Sequence, residues 1–405
     1  KAIACKADNE EFLQCLYDGS DVYFPFEKFV KKRFEVFGKM HKGEQSYFEL
    51  RTAYTRMKTP DTFLRYDPYG PFGQFASYSV ETRDRVRCIS AKNGIPMSTQ
   101  WSPKPYYYPI QIAQFALQHY SRYKTSTYLF YKFHVNYIGR WCFKIINTAI
   151  SFMRICFLYY FSFILGDAKP LWLAFYGKAM TKNIRQQSSS NLENFLVAVS
   201  WFVENQDSDG GWSVPIERRV VNNRLTLSSG WHSAMAQGQA LSVLTRAYKQ
   251  LNDSIFLDIA GRALKIFEMV SSEGGVLNKI FDNIWYEEYP TVPGTYVLNG
   301  FMYALIGLYD FSQTPSALAP KAKKLFNEGV RSLELILPLY DTGSGTMYDL
   351  RHITLKMAPN LARWDYHAVH IYLLKWLSGI TNISFFSEVA DRWIDYAHGK
   401  KAKHN

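Results

Sequence analysis

A second Asp-Thr-Gly is missing from this sequence. The one present, Asp341-Thr342-Gly343-Ser344 in "LYDTGSGTMYDLRH" (339–352), has the form of an aspartic-protease carboxylate loop. That chemistry needs two carboxylates sharing one proton, hence two such loops or a short chain that dimerises. A chain of 405 residues with a single loop is neither. The flank "AKKLFNEGVRSLELILPL" also repeats apolar residues at helical spacing, where a protease requires strands. Cysteine is scarce as well. Cys5, Cys15, Cys88, Cys142 and Cys156 form no CxxC pair and show no metal-ligand spacing, which argues against a zinc site. Their odd number rules out a fully paired disulfide framework. The chain opens on Lys1 without Met or a signal-like segment, so a targeting segment is expected either to lie outside it or not to exist.

What is abundant is aromatic and basic. Aromatics make up 17% of the residues, with 29 Tyr and 10 Trp, and 47 Lys and Arg against 35 Asp and Glu give a net charge of +12. A basic, tyrosine-rich chain suits a polyanionic partner, either nucleic acid or an acidic polysaccharide. The length fits two or three domains with substantial cores. Two sequons, Asn252-Asp253-Ser254 and Asn382-Ile383-Ser384, would permit N-glycosylation in a secretory compartment.

Three regions differ in texture. Residues 1–124 mix short alternating runs such as "SYSVETRDRVRCIS" (77–90), expected to be strands, with interruptions at "DPYGPFG" (67–73) and "KNGIPMS" (92–98). The region ends in "YYYPIQIAQFALQHYSRY" (106–123), whose later part has helical spacing. Residues 125–185 contain "IINTAISFMRICFLYYFSFIL" (145–165), 21 residues with the single charge Arg154. That run is long enough to span a bilayer, to be a buried core helix, or to stand apart from the mature fold.

From residue 188 to 398, helical runs follow one another at near-regular spacing. They are "NLENFLVAVSWFVENQ", "WHSAMAQGQALSVLTRAYKQ", "IFLDIAGRALKIFEMV", "YVLNGFMYALIGLYDF", "APKAKKLFNEGVRSLELIL", "WDYHAVHIYLLKWLSGI" and "FFSEVADRWIDYAHG". Helical hairpins with short links predict an α/α barrel. Within "NQDSDGGWSV" (205–214), Gly210-Gly211 is expected to turn the chain and Trp212 to pack back on the helices. The fold class expected is therefore α+β: a C-terminal α/α barrel (186–405), a smaller N-terminal strand-containing region (1–124) and an atypical apolar middle (125–185).

Several of these stretches carry a family resemblance. "YEEYPTVPGTYVLNGFMYALIGLYD" (286–310), "LPLYDTGSGTMYDLRH" (337–352), "APNLARWDYHAVHIYLL" (358–374) and "WHSAMAQGQALSVLTRAY" (231–248) resemble the heparan sulfate glucuronyl C5-epimerase family nearly motif for motif. "FPFEKFVKKRFEVFGK" (24–39), "VETRDRVRCIS" (80–90), "STQWSPKPYYYPIQIAQFALQHYS" (98–121) and the terminal "AKHN" fit the same pattern. The likeness covers about 1–124 and 186–405, over four-fifths of the chain. It stops in the middle, where the family carries a β-rich domain of well over a hundred residues and this chain has about sixty apolar ones.

The resemblance implies inversion of carbon 5 of D-glucuronic acid to L-iduronic acid in N-sulfated heparosan. The hydrogen removed lies α to a carboxylate and is hardly acidic until that carboxylate is neutralised by cations and hydrogen bonds. Inversion then needs one group to take a proton and another to return one to the opposite face. The reaction needs no redox cofactor. By resemblance, the catalytic residues are Glu288 and Tyr366 as the acid–base pair, together with Tyr348. Tyr289 and Arg351 bind the carboxylate, Arg through its bidentate fork. Tyr366 would start a helix whose positive end favours a phenolate. Arg83, Arg85 and Arg87, alternating in an expected strand, and Gln100, Trp101 and Tyr107 would line the groove for the polymer. Lys28, Lys31, Lys32 and Arg33 read as a solvated face.

The same likeness implies heparan sulfate as partner rather than nucleic acid, a homodimer, proximity to the uronyl 2-O-sulfotransferase, and a membrane-associated place in the Golgi lumen. Polysaccharide lyase chemistry on the same fold and an inactive heparan-binding relic are the alternatives. Asp341 is expected to hydrogen-bond the Gly-rich turn that delivers Tyr348 and Arg351.

Overall fold

A computed structural model of the chain describes residues 1–7, 12–17, 22–23, 35–41, 46–53, 65–83, 85–90, 93–126, 189–221 and 223–403. The apolar run 145–165 and nearly all of 125–185 lie outside the described residues, as does the Lys28–Arg33 face. Among the described residues no helix is long and apolar enough to cross a membrane.

The N-terminal region forms a five-stranded sheet from β1 (Ala2–Ala7), β2 (Phe12–Tyr17), β3 (Val22–Tyr23), β4 (Glu35–His41) and β5 (Tyr47–Ala53), in the order β3-β2-β1-β5-β4. Neighbours are antiparallel except β1 and β5, which run parallel. A disulfide joins the buried Cys5 and Cys15 across β1 and β2.

The expected strand over 77–90 is only partly present. Phe75–Ser77 and Val80–Thr82 are single 3₁₀ turns, and β6 covers only Val86–Ile89, pairing with β7 (Pro96–Ser98). Arg83 and Arg85 therefore precede the strand, and the three arginines do not alternate along one strand face. The turn wins because Val80 N–H donates to Gln118 Oε1 at 2.7 Å and Arg83 N–H to the Val80 carbonyl at 3.3 Å. A tertiary contact overrides the local alternation.

Helix α1 (109–126) begins at Pro109, whose ring suits the first helical turn, and α2 follows at 189–204. The remaining helices are α3 (Ala234–Leu251), α4 (Ile255–Arg262), α5 (Leu264–Glu268), α6 (Leu298–Ser312), α7 (Ala319–Ile336), α8 (Arg351–Leu355), α9 (Trp364–Thr381) and α10 (Ser384–Ala397). Apart from the short α8, they coincide with the helical runs of the sequence, the run at 255–270 being divided into α4 and α5. α6 is apolar almost all round and is accordingly central, packing on α3, α7 and α9. Its contact with α3 is close because two glycines meet there: a Cβ on Gly238 would lie 2.5 Å from Ala304 Cα, and one on Gly307 would lie 1.9 Å from the Gly238 carbonyl oxygen. α9 packs on α10 and α3 on α4.

Loop chemistry follows the expectations at several points. Gly210 adopts φ 93°, and Trp212 is fully buried with its indole N–H on the Phe202 carbonyl at 2.8 Å. Asn252 and Asn382, the sequon asparagines, are exposed left-handed caps at the C-termini of α3 and α9. Asp341 Oδ1 accepts the Gly343 N–H at 2.8 Å, and its Oδ2 accepts from Arg392 Nε at 2.8 Å and Trp393 Nε1 at 3.0 Å. It secures a turn.

Candidate active site

Four short hairpin strands lie between α2 and α3: β8 (Ser213–Val214), β9 (Arg218–Val220), β10 (Leu225–Leu227) and β11 (Trp231–His232). They pair as β8 with β11 and β9 with β10. Between α5 and α6 lies a second hairpin, β12 (Leu277–Ile280) with β13 (Asn283–Tyr286). These connections and the segment 346–366 enclose a cavity of about 510 Å³. Gln100 and Trp101 close it from the N-terminal side. Arg218, Arg219, Tyr289, Tyr348, Arg351, Arg363 and Tyr366 supply most of its other lining.

β13 ends at Tyr286 and the chain bends at 288–289, and the two consecutive glutamates there have different partners. Glu287 turns to the 294–296 loop, where its carboxylate accepts the Tyr296 N–H at 3.0 Å and Asn278 Nδ2 at 3.3 Å. Glu288 turns to α6, with Asn299 Nδ2 3.4 Å from its Oε2. A Cβ at Gly300 would come within 2.5 Å of Glu288 Oε2, so the bare glycine provides the room for this carboxyl. Both acids are buried. Burial first, and then the charge of Asp349, push Glu287 up to about 8 and Glu288 up to about 7. They do so against the lowering pull of hydrogen bonds from Tyr296 and Asn278 on Glu287, and of Tyr289, Asn299 and the Arg85 charge on Glu288.

Four phenols surround Glu288. Tyr108, Tyr289, Tyr348 and Tyr366 are all raised above their ordinary value, first by burial and then by the Glu288 charge among others. Tyr348 and Tyr366 meet edge to face with ring centroids 4.8 Å apart. Tyr366 does sit in the first turn of α9, yet its phenol is raised, not lowered. Loss of water and the nearby carboxylates of Glu288 and Asp365 outweigh Arg363, 5.4 Å from the ring centroid, and Arg85. It rests as a phenol.

Arg351 lines the cavity while gripping Asp349: its Nε lies 2.8 Å from both carboxylate oxygens, and its Nη2 also reaches Oδ2. The local charge contact legible in "MYDLR" thus exists together with exposure to the cavity. Gln100 lines the cavity and accepts a hydrogen bond from Arg85 Nη1 at 3.2 Å. Tyr107 does not reach it: its hydroxyl bonds Ser90 Oγ at 2.9 Å and its ring packs near Trp201. The Arg87 side chain lies outside the described residues. Arg83 donates to Gln114 Oε1 at 2.6 Å, away from the cavity lining.

Sequence reasoning missed the wall made by Arg218, Arg219 and Asn223, and also Arg363 and Thr295. The guanidinium of Arg218 stacks 4.0 Å from the Trp101 ring centroid. The available signal was the basic stretch "IERRVV" between Pro215 and Asn223, set among helices.

The family model described as the D-glucuronyl C5-epimerase C-terminus matches residues 206–395. That span includes Glu288, Tyr289, Tyr348, Arg351 and Tyr366. A Caenorhabditis elegans protein named D-glucuronyl C5-epimerase is 40% identical over 560 aligned positions, covering 99% of this chain and 89% of that protein. Because 560 positions exceed the 405 residues here, the relative carries well over a hundred positions with no counterpart in this chain. An uncharacterized protein of Methanocaldococcus jannaschii is 32% identical over 175 residues, 41% of this chain and 53% of that one.

Proposed function

The chain belongs to the D-glucuronyl C5-epimerase family, and from that premise we propose that it inverts carbon 5 of D-glucuronic acid to L-iduronic acid within N-sulfated heparosan. The observation that carries the mechanism is a carboxyl held at about 7 behind a cavity walled by phenols and arginines. A base near neutrality combines a useful ionised fraction with driving force for proton transfer. Glu288 takes the C5 proton, and the electron pair of the broken C–H bond passes into the substrate carboxylate. Arg351, Tyr348 and Tyr289 hold that carboxylate and stabilise the enediolate-like charge. Tyr366, resting as a phenol, gives its proton to the opposite face of carbon 5. Solvent exchange then restores the starting proton inventory, and the roles reverse for the reverse reaction.

The test is solvent-deuterium incorporation at carbon 5 of N-sulfated heparosan. Parent enzyme should label that position without generating an ultraviolet-absorbing double bond, the mark of a lyase. Tyr366→Phe should lose labelling by at least about 10²-fold while keeping most of the polymer affinity. Full labelling by Tyr366→Phe would remove it from the scheme.

Larger-scale features are proposed with the function. The paired helices of 186–405 support an α/α barrel as the catalytic domain, and the 1–124 region contributes Gln100 and Trp101 to the substrate groove. Residues 125–185 stand in place of the family's β domain, a reading that rests on the family resemblance. The Caenorhabditis elegans relative adds only that well over a hundred of its aligned positions lack a counterpart here. A homodimer, a Golgi-lumenal membrane-associated location, heparan sulfate as polymer partner and the uronyl 2-O-sulfotransferase as neighbouring enzyme rest on the family resemblance.

A further inference from the structure

Asp349 has no part in the proton transfers above, yet its side chain is fully buried behind the cavity-lining Arg351 and both its oxygens accept hydrogen bonds. Oδ1 takes the Arg351 backbone N–H at 3.2 Å, and Oδ2 takes Asn360 Nδ2 at 2.8 Å. Both oxygens take Arg351 Nε at 2.8 Å, and Oδ2 also takes Nη2. A guanidinium can grip a carboxylate through its Nε–Nη2 side or through its Nη1–Nη2 end. Asp349 occupies the side.

Backbone bonds fix the same segment: Tyr348 N–H to the Asn360 carbonyl at 2.8 Å, Leu350 N–H to the Thr295 carbonyl at 2.9 Å, and Leu298 N–H to the Tyr348 carbonyl at 3.1 Å. The aspartate therefore sits on a braced strand-like segment between α6 and the 360–362 loop, and Arg351 hangs from it into the cavity.

We propose that Asp349 is a positioning residue for substrate: by holding the Nε–Nη2 side of Arg351, it presents the Nη1 end of the guanidinium as the bidentate seat for the sugar carboxylate. The identity of that ligand rests on the functional reading above, whereas the orientation of Arg351 does not. Asp349 also places a fixed negative charge facing Glu288, alongside Arg85, Asn299 and the phenols of Tyr108, Tyr289, Tyr348 and Tyr366. Losing that charge makes Glu288 easier to ionise, so the Glu288 midpoint reports the charge of Asp349, while the kinetics and the double variant report its hold on Arg351.

The experiment uses the full chain and three variants, Asp349→Asn, Arg351→Ala and their combination. It reads carbon-5 exchange on N-sulfated heparosan, oligosaccharide affinity by calorimetry, and the Glu288 titration by carbon-13 NMR of labelled glutamates, assigned with Glu288→Gln. Asp349→Asn should lower kcat/KM by about 10²-fold, since a misplaced binding group of this kind costs that much, and should move the Glu288 midpoint to lower pH. Added to Arg351→Ala, it should cost no further affinity, because it acts through the missing arginine.

Additive losses in the double variant, or parental kinetics with a parental Glu288 midpoint in Asp349→Asn, would overturn the proposal. If Asp349→Asn alone fails to fold, the double variant lacks the stranded guanidinium, and its comparison with Arg351→Ala decides between the same two outcomes. A parent enzyme without carbon-5 exchange, whose Glu288 midpoint and oligosaccharide affinity still respond to Asp349→Asn, would sink the functional reading and leave the positioning role standing.

Discussion

Arg246–Asp310 and Arg351–Asp349 both pair an arginine with a fully buried aspartate, and they differ in what the arginine has left over. Arg246 is itself fully buried and spends all its donors. Nε bonds the Gly70 carbonyl at 3.0 Å, Nη1 bonds the Ser242 carbonyl at 3.0 Å and Asp310 Oδ2 at 2.7 Å, and Nη2 reaches the Tyr66 hydroxyl and the Asp67 carbonyl at 3.3 Å. Its plane lies near the rings of Phe72, Tyr120 and Tyr66. That pair clamps the 65–73 segment to α3 and α6. Arg351 is satisfied on one side only and lines a cavity on the other. A saturated pair holds a fold, and a pair with an open end can hold a ligand.

The sharpest way to break the comparison is to remove Asp310. Asp310→Ala leaves the Arg246 charge buried without its counter-ion and should cost about 3–5 kcal/mol of stability. Urea unfolding measures it, and a loss below about 1 kcal/mol would mean that the clamp is dispensable. Arg351→Ala should show the inverse pattern. Its kcat/KM should fall about 10²-fold through loss of the oriented carboxylate contact. Its unfolding midpoint should move less than that of Asp310→Ala, because truncating a side chain that lines the cavity opens Asp349 to water, whereas Arg246 stays sealed in the core.

A smaller effect separates the paired carboxylates from the unpaired ones. Glu287 and Glu288, at about 8 and about 7, are raised above the ordinary glutamate value of roughly 4.3. Between that value and their own, the folded protein binds more protons than the unfolded chain. Stability must therefore fall as pH rises through this window. Glu287→Gln should flatten the fall up to about pH 8, as read by chemical unfolding across a pH series. A slope equal to that of the parent would show that this carboxyl is not desolvated.

The smallest expected effect is at the rim. Arg219 is exposed and paired only 3.1 Å from the equally exposed Glu217. Arg219→Ala should change stability by less than about 1 kcal/mol while raising KM more at low than at high ionic strength, where screening already hides the charge. A salt-independent KM change would place Arg219 in direct contact with substrate.

The helices and the turn at Asp341 were legible because their causes lie within a few residues. Apolar spacing of 3.6 generates α3, α6, α7, α9 and α10 nearly end to end, and Asp341 bonds Gly343, two residues on. The motif residues Glu288, Tyr348, Arg351 and Tyr366 could be singled out before any fold was known only through the family resemblance, whereas the short-range contact of Arg351 with Asp349 was legible in the residues themselves. The strand expected over 77–90 failed where Gln118 took the Val80 N–H. The helix-start argument for Tyr366 failed where burial exceeded the pull of a terminal dipole.

What the sequence alone determined was local: which segments coil, where the chain turns, and which chemical groups are available to the reaction. What only the tertiary structure decided was the state of those groups. Glu288 is pushed up to about 7 because burial strips its water and Asp349, distant in sequence, opposes its charge, while Gly300 makes room for it. The cavity wall is basic because the β9–β10 hairpin brings Arg218 against Trp101, more than a hundred positions earlier. A proton affinity is set by everything within a few ångströms, and nothing in linear order says which distant residues will supply that surrounding.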